Sequence, residues 1–474
     1  MFSKSVLFLV IFAVIKTLTM QKFFRTAATI LALLMVSTLA IAQSKLANTL
    51  KSIESVASIQ KLESPVFSEK YLLKVTRPVN PEAAGEMTPD MQTYVKYADP
   101  AARKADAGTF EQRVFVCHRG YDKPTVLVTE GYWADYAMNP TYQEEISRLF
   151  DTNLIVVEYR YFGESTPEAC DWQYLTVANS LCDLHHVVEM LKPVYQGKWI
   201  STGISKGGQT TMFYRSYYPD DVDISVPYVA PLNKALEDGR HEPFLSKQVG
   251  TAAERKKIED FMMDLEKNKA ELLSMFQKYC DGKGYVFRVP IEEIYDLCVL
   301  EVRYAMWQWG TDVKTLPAAD ATAEQKFRYF IGINDPDYFA LQTPYYSFNV
   351  MAAKELGYYG YDMKAFKKYM SVKNTKDYLL RIMLGGDEQN LKFDDTLYRH
   401  VVEFLKKNDP KMMYIYGGID PWGCSGVAPW LNTSKKQNLK VYVKEGGSHS
   451  TRISTFEEPR RSEIISTIKG WLEE

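Results

Sequence analysis

Three side chains in this 474-residue chain have the types and the order that a serine nucleophile requires. Ser205 lies in Gly203-Ile-Ser-Lys-Gly207, between an apolar run and a segment of helical periodicity. A serine hydroxyl is a weak nucleophile, so it needs a base within hydrogen-bond reach and a third group that holds the base. In a parallel sheet these partners follow later strands, in the order Ser, Asp or Glu, His. Asp420 and His449 stand in this order, and the sequence therefore predicts a catalytic triad.

The predicted acid and base each lie in a glycine-containing loop directly after a predicted strand. Asp420 follows the run 411–416, and His449 follows the run 440–443. Each has an ordinary alternative, because an aspartate before proline can start a turn and a loop histidine can simply face solvent. Other acids follow no buried strand, namely Asp387, Asp394 and Asp395. Position along the chain therefore favours Asp420 and His449.

The same motif predicts the donors that would stabilise an oxyanion. Gly203 and Gly207 leave room for the sharp strand-to-helix turn on which a nucleophilic serine sits. One backbone N–H is expected from Lys206, and the second from Gly131 or Tyr132 in the loop after the apolar run 124–129. The spacing G-x-x-x-x-G-K-[ST] of a phosphate-binding loop is absent around Ser205, which argues against a nucleotide site there.

The elements that must position these residues alternate along the chain. Strand-like runs of about five to seven residues separate segments of helical periodicity, which indicates β-α-β units and a parallel sheet. The predicted strands are 71–75, 112–118, 124–129, 153–159, 198–202, 223–229, 411–416 and 440–443. Residues 235–390 are helical in pattern instead. We therefore expect an α/β-hydrolase fold with a mostly parallel sheet, a core of residues 66–234 and 391–474, and a large helical cap of residues 235–390.

Composition and the N-terminal residues indicate an exported globular protein. A formal net charge of −2 gives no reason to expect nucleic acid or an anionic membrane as partner. Residues 1–42 are predicted to be a signal region that starts at Met20, because a basic segment, an apolar run and Ala40-Ile-Ala42 follow in that order. A membrane anchor is the alternative, although each apolar run is shorter than the ~20 residues of a span. We expect a secreted or periplasmic protein.

Six cysteines in an exported chain suggest disulfide bonds. An even number allows three bridges in any of 15 arrangements, so the sequence does not fix the pairing. The local pairs Cys170–Cys182 and Cys280–Cys298 are the first candidates. No cysteine or histidine spacing suits a structural zinc ion, and we predict neither a metal nor another cofactor.

Several segments resemble secreted serine peptidases of the prolyl carboxypeptidase and dipeptidyl peptidase II type. Val157-Glu-Tyr-Arg-Tyr-Phe-Gly-Glu-Ser165 is similar to a Glu-His-Arg-Tyr-Tyr-Gly-x-Ser segment of those enzymes, and Asp420-Pro-Trp422 to the segment around their acid. The chain is more similar still to secreted bacterial tripeptidyl aminopeptidases of the PS-ten group. It departs from the eukaryotic members at Gly-Ile-Ser-Lys-Gly, where they have Gly-Gly-Ser-Tyr-Gly, and in the residues after His449.

The resemblance implies a serine exopeptidase that releases di- or tripeptides from peptide amino ends through an acyl-enzyme. It also suggests a preference for proline. Such an enzyme needs an acid for the substrate ammonium, and Glu130 and Glu355 are the candidates; both have ordinary structural alternatives. A secreted esterase or lipase with the same triad is the rival enzyme. An exported binding protein without catalysis is the second alternative. The sequence fixes neither the length of the released peptide nor the oligomeric state.

Overall fold

The computed structural model describes residues 44–95, 97 and 100–474. The predicted signal region 1–42 lies outside the described residues. The described residues divide into two compact units, with the division between Val56 and Ala57. In the first unit, helix α1 (Lys45–Lys51) begins where the Ser44 side chain accepts a hydrogen bond from the Ala47 N–H, a usual N-cap arrangement.

Nine strands form a single sheet in the order β1-β2-β3-β5-β4-β6-β7-β8-β9. The strands are β1 (Val56–Leu62), β2 (Glu69–Pro78), β3 (Thr109–His118), β4 (Thr125–Thr129), β5 (Asn153–Val157), β6 (Trp199–Ile204), β7 (Ile224–Tyr228), β8 (Met412–Gly417) and β9 (Leu439–Lys444). The pairs β2–β3 and β3–β5 are antiparallel. From β5 through β4 to β9 every neighbouring pair is parallel. The sheet is therefore mostly parallel, as the sequence predicts, and the fold is that of an α/β hydrolase.

Helices cover the sheet and bury its central strands. Every residue of β4, β5 and β7 is buried, as expected where both faces of a parallel sheet are covered. The helices that alternate with these strands or follow them are α2 (Glu145–Phe150), α3 (Val177–Leu191), α4 (Lys206–Tyr217), α10 (Thr396–Lys407) and α11 (Arg460–Glu473), with α5 to α9 lying between α4 and α10. Because strands β6, β8 and β9 are parallel, the loops after them meet at one edge of the sheet.

The described residues between β7 and β8 are helical and form no strand, apart from an isolated bridge between Glu237 and Tyr358. The helices of six residues or more are α5 (Ala252–Lys267), α6 (Lys269–Lys283), α7 (Ile291–Trp309), α8 (Ala323–Ile333) and α9 (Tyr346–Met351). We refer to residues 235–390 as the cap. Since Ala57–Glu474 forms one compact unit, the boundary between core and cap stays a prediction.

The cysteines do not form the expected disulfide bonds. All six are free thiols, and four of them are buried, namely Cys117, Cys182, Cys280 and Cys298. The suggested pairs Cys170–Cys182 and Cys280–Cys298 are therefore wrong for this structure. The hydrophobic core, rather than covalent cross-links, holds the fold together. Among the described residues, no helix combines the length and apolar character needed to cross a bilayer.

Candidate active site

Ser205 lies on a strained turn between β6 and α4. Its backbone has φ 58° and ψ −119°, a conformation that non-glycine residues adopt at a cost. The Ser205 N–H donates to the Tyr228 carbonyl at 2.9 Å, which ties the turn to β7. A Cβ atom on Gly203 would lie 2.4 Å from the Gly207 carbonyl oxygen, so the helix can start this close to the strand only because glycine stands there. The turn has the geometry of a nucleophile elbow.

Asp420 and His449 form a directly bonded pair after β8 and β9. The distance from His449 Nδ1 to Asp420 Oδ2 is 2.7 Å, and the other oxygen of Asp420 accepts the Trp422 N–H at 3.0 Å. Asp420 is fully buried and His449 is almost fully buried. A carboxylate accepts hydrogen bonds, so Nδ1 carries the proton and Nε2 is the acceptor nitrogen. This is the tautomer that a general base for serine requires.

The cap and the core together hold His449. Its backbone N–H donates to the Gln308 carbonyl of α7 at 2.8 Å. The indole of Trp309 packs edge-to-face against its imidazole, with ring centroids 5.8 Å apart. From the core side, the Ile419 N–H donates to the Gly447 carbonyl at 2.9 Å, which joins the acid loop to the histidine loop. The orientation of the base therefore depends on both parts of the chain.

Ser205 and His449 line one cavity of about 590 Å³ between core and cap. The core contributes residues of the β4 and β6 loops, and the cap contributes residues of α7 and of the segment around β-bridge residue Tyr358. Acidic side chains in the lining are Glu130, Glu301, Asp335 and Asp337. The predicted nucleophile and base thus face the same cavity, in whose lining acidic side chains outnumber lysine and arginine.

The predicted oxyanion donors lie beside the nucleophile elbow. Two of them, the N–H groups of Gly131 and Tyr132, already bind a carboxylate. The Lys206 N–H belongs to the first turn of α4, where backbone donors have no partner within the helix. The Gly131 N–H donates to the carboxylate of Glu130 at 3.1 Å, and the Tyr132 N–H also stabilises that carboxylate. Tyr132 lines the cavity with Lys206, whereas Gly131 packs behind the elbow. Lys206, Tyr132 and Gly131 remain the predicted donors.

The side chain of Lys206 has a role that the sequence did not suggest. Its Nζ donates to the Gly131 carbonyl at 2.6 Å and lies 3.2 Å from the ring centroid of Tyr159. The rings of Tyr132 and Phe162 also face it. Burial lowers the pKa of Lys206 well below its usual value, against the opposing charge of Glu130. The lysine thus fastens the loop after β4 to the elbow.

The two acids proposed for the substrate ammonium lie in different places. Glu130 lines the triad cavity, accepts a hydrogen bond from the Tyr136 hydroxyl, and has a pKa that burial raises. Glu355 lies in a separate cavity of about 750 Å³. Its carboxylate accepts the Val177 N–H at 2.8 Å, at the start of α3. Glu355 therefore does not line the triad cavity and caps helix α3, and its role in binding the substrate ammonium stays a prediction.

Glu301 is an acid of the triad cavity that the sequence analysis missed. It lies on α7 and accepts hydrogen bonds from the hydroxyls of Tyr359, at 2.9 Å, and Tyr361, at 2.5 Å. Burial raises its pKa to about 7, while the two tyrosine hydroxyls act in the opposite direction. A signal was present in the sequence, because Glu301 interrupts the otherwise apolar run Cys-Val-Leu-Glu-Val of a helical segment.

Comparisons with known proteins give a family match, a curated relative and several solved structures of low sequence identity. Residues 88–471 match the family described as PS-10 peptidase S37. A prolyl tri/tetrapeptidyl aminopeptidase of Streptomyces mobaraensis is 27% identical over 382 residues, which is 78% of this chain and 77% of the relative. Among solved structures, a proline iminopeptidase of Mycobacterium smegmatis aligns with 76% of this chain and 96% of its own at 13% identity and a TM-score of 0.40. An esterase of Pyrococcus furiosus aligns with 76% and 88% at 13% identity and a TM-score of 0.33.

The family match spans far more than half of the chain and includes every predicted triad residue. The matched residues therefore contain both the strained Ser205 and the hydrogen-bonded pair of Asp420 and His449. The chain is accordingly a serine peptidase and belongs to the PS-10 peptidase family S37.

Proposed function

We propose that this chain is an exported aminopeptidase that releases short peptides, di- or tripeptides, from free amino ends of polypeptides. The observation that carries the proposal is the 2.7 Å bond between Asp420 and His449 beside a cavity that also contains the strained Ser205. The name of the Streptomyces mobaraensis relative, a prolyl tri/tetrapeptidyl aminopeptidase, supports the release of tripeptides within this range and a preference for proline. The signal region predicted within residues 1–42 supports export.

In the proposed mechanism, Ser205 attacks the carbonyl carbon of the scissile bond while Nε2 of His449 takes the hydroxyl proton. Asp420 holds the imidazole and stabilises its charged form. The carbonyl oxygen becomes an oxyanion that accepts the N–H of Lys206 and an N–H of the loop after β4, from Tyr132 or Gly131. His449 then gives its proton to the departing amine, and the acyl-enzyme on Ser205 remains. Water, activated by His449, releases the short peptide.

The restriction to amino ends follows from the acids in a roofed cavity. Cap residues close one side of the cavity, which favours a chain end over a chain interior. An unpaired ammonium is costly to bury, so a carboxylate must receive it. Glu301 is the best placed, because it is held by Tyr359 and Tyr361 on the cap side, whereas Glu130 already binds backbone donors of its own loop. We assign Glu301 to the substrate ammonium.

A digest of a peptide library tests this function. We expect the purified protein to release di- or tripeptides from free amino ends, with fragments identified by mass, and N-acetylation of the library to abolish the release. Ser205→Ala is the matched control and should release nothing. Cleavage within chain interiors, or hydrolysis of acyl esters without any peptide release, would contradict the exopeptidase assignment.

A further inference from the structure

The triad cavity has an apolar, solvent-exposed part that the mechanism above does not use. Trp309 is 58% exposed and Ile204 is 44% exposed, and both line the cavity. Single exposed apolar side chains are normal on a protein surface, whereas exposed apolar side chains that line the same cavity indicate a binding surface. Ile204 is also the single exposed residue of β6, directly before Ser205. By contrast Tyr358 and Tyr359, on the cap side near Glu301, are buried.

Three contacts fix Trp309 beside the catalytic base. It is the last residue of α7, which ends at Gly310 in the left-handed conformation with φ 68°. A Cβ atom on Gly310 would lie 3.0 Å from Cβ of Ser448, so the end of the helix packs directly on the histidine loop. The preceding residue, Gln308, accepts the His449 N–H, and the Trp309 ring meets the His449 ring edge-to-face.

The chemistry assigns a substrate portion to this side of the cavity. Asp420 occupies Nδ1 of His449, so the proton for the departing amine must come from Nε2. The amine must therefore leave past the imidazole, next to the ring that Trp309 contacts. The acyl part of the substrate stays on Ser205 and carries the amino end, which the proposed function assigns to Glu301.

We propose that Trp309, with Ile204, forms an apolar surface that binds the side chain of the first residue of the departing chain. The enzyme then selects large apolar residues immediately after the cut, in addition to whatever it selects before it. This inference rests on the proposed function, because it assumes an acyl-enzyme on Ser205 and a peptide leaving group.

A peptide series with one constant acyl part tests the surface. The peptides differ only in the residue after the cut, which is Phe, Leu, Ala or Asp, and a methyl ester of the same acyl part measures acylation without a departing residue. We expect kcat/KM for Phe to exceed that for Ala by about 10-fold, the lower end of what an apolar pocket achieves, since this surface is half open. In Trp309→Ala the Phe to Ala ratio should fall below about twofold.

Each ratio is taken within one variant, so a general change in rate cancels. Trp309→Phe should keep most of the preference, because an aromatic surface remains. Val286→Ala is the matched control: Val286 is 56% exposed, lies in the cap and is not part of the cavity lining, and its loss should leave the ratio unchanged.

Added amines give a second readout. Phenylalanine amide should divert the acyl-enzyme from water more effectively than alanine amide in the wild type, and Trp309→Ala should abolish this difference. The proposal is overturned if kcat/KM of the wild type for the Phe and Ala peptides differs by less than twofold. It is also overturned if the Trp309→Ala variant keeps the preference for Phe. Failure of the proposed function looks different, because no peptide of the series would then be cleaved in a reaction that depends on Ser205, whether or not the methyl ester is hydrolysed.

Discussion

Both carboxylate oxygens of Asp420 have a hydrogen-bond partner. One carboxylate oxygen binds the imidazole of His449 and the other caps the turn Pro421–Cys424 by accepting the Trp422 N–H. The side chain therefore has little freedom to rotate away from the base. Its burial also means that the negative charge acts on the imidazolium with little screening by water.

Asp420→Asn should leave the fold intact and reduce kcat on the order of 10⁴-fold, because an amide favours the wrong tautomer of His449. Steady-state kinetics on a peptide released by the wild type measure the effect. Equal urea midpoints for variant and wild type are the control for folding. A loss of less than tenfold would mean that another acid holds the base.

Glu301 should make binding of the substrate ammonium dependent on pH. With its pKa at about 7, Glu301 is mostly neutral below that pH and mostly a carboxylate above it. KM for a free-amine peptide should thus fall as pH rises through about 7, relative to a peptide whose terminal amine is replaced by hydrogen. The advantage should decline again above pH ~8, where the peptide amine itself loses its proton.

Glu301→Gln should remove this pH dependence and raise KM of the free-amine peptide about 10- to 100-fold, the range for losing a hydrogen bond to a charged group. The des-amino peptide serves as internal control and should be affected far less. An unchanged pH profile in Glu301→Gln would show that another acid, such as Glu130, receives the ammonium.

Sequence reasoning can group residues that are related by chain order, but it cannot group residues that only distant packing brings together. Ser205, Asp420 and His449 could be predicted because each follows a strand of one parallel sheet. Glu301 and Trp309 could not be placed in this way: an acid within an apolar run marks Glu301 as unusual, but nothing local in α7 states which part of the core the helix packs against. For the same reason the sequence could not show that Glu355 lies outside the triad cavity.

At the scale of elements, the elbow depends on how closely β6, α4 and the loop after β4 approach one another. Cβ atoms on Gly203 and Gly131 would lie 2.4 Å from the Gly207 carbonyl oxygen and 2.7 Å from the Gly207 nitrogen. Lys206 draws the same loop inward through its bond to the Gly131 carbonyl. The small size of Gly203 and Gly131 and the hydrogen bond from buried Lys206 therefore together set the position of the predicted oxyanion donors.

Gly203→Ala should destabilise the protein by roughly 2–3 kcal/mol or more, the upper range for overpacking, because the added methyl group meets backbone atoms that cannot move aside. Gly332→Ala in α8 is the matched control: an added Cβ there meets no atom within 4 Å. That change should be neutral or should stabilise by up to about 1 kcal/mol. Urea denaturation compares the two, and equal effects would contradict the steric account.

The elements themselves were largely predictable. Strands β2 to β9 match eight predicted runs, because apolar runs and alternation report directly on burial in a sheet. Strand β1 was missed, since it has no buried residue and shows no alternation. Helix α2 begins only at Glu145, because the Glu144 side chain caps it by accepting the N–H groups of Ile146 and Ser147. Asn268 separates α5 from α6 within the segment of helical pattern.

For the whole molecule, a buried acid in the cap should make stability depend on pH. Glu266 of α5 is 2% exposed, and neither of its carboxylate oxygens has a hydrogen-bond partner among the described residues. Burial, aided by the charge of Asp296, raises its pKa to about 8. The folded chain therefore holds a proton that the unfolded chain releases at a lower pH.

The free energy of unfolding should fall as pH rises from about 5 to 8, because the folded state binds more protons in that window. Glu266→Gln should remove on the order of 2 kcal/mol of this decline. Urea midpoints at several pH values measure it. Glu259→Gln, at an exposed position of the same helix, is the control and should follow the wild type. Parallel curves for wild type and Glu266→Gln would contradict the prediction.

The hydrogen bond from the His449 backbone to Gln308 has a consequence for how this enzyme can change. A cap that only covered the cavity would control access and could be exchanged without an effect on the reaction centre. Here the cap provides the Gln308 carbonyl that binds the backbone of His449, so exchanging or shortening the cap should alter proton transfer as well as selectivity. An ancestor or a redesigned variant with a different cap would need another contact that holds the His449 imidazole in position.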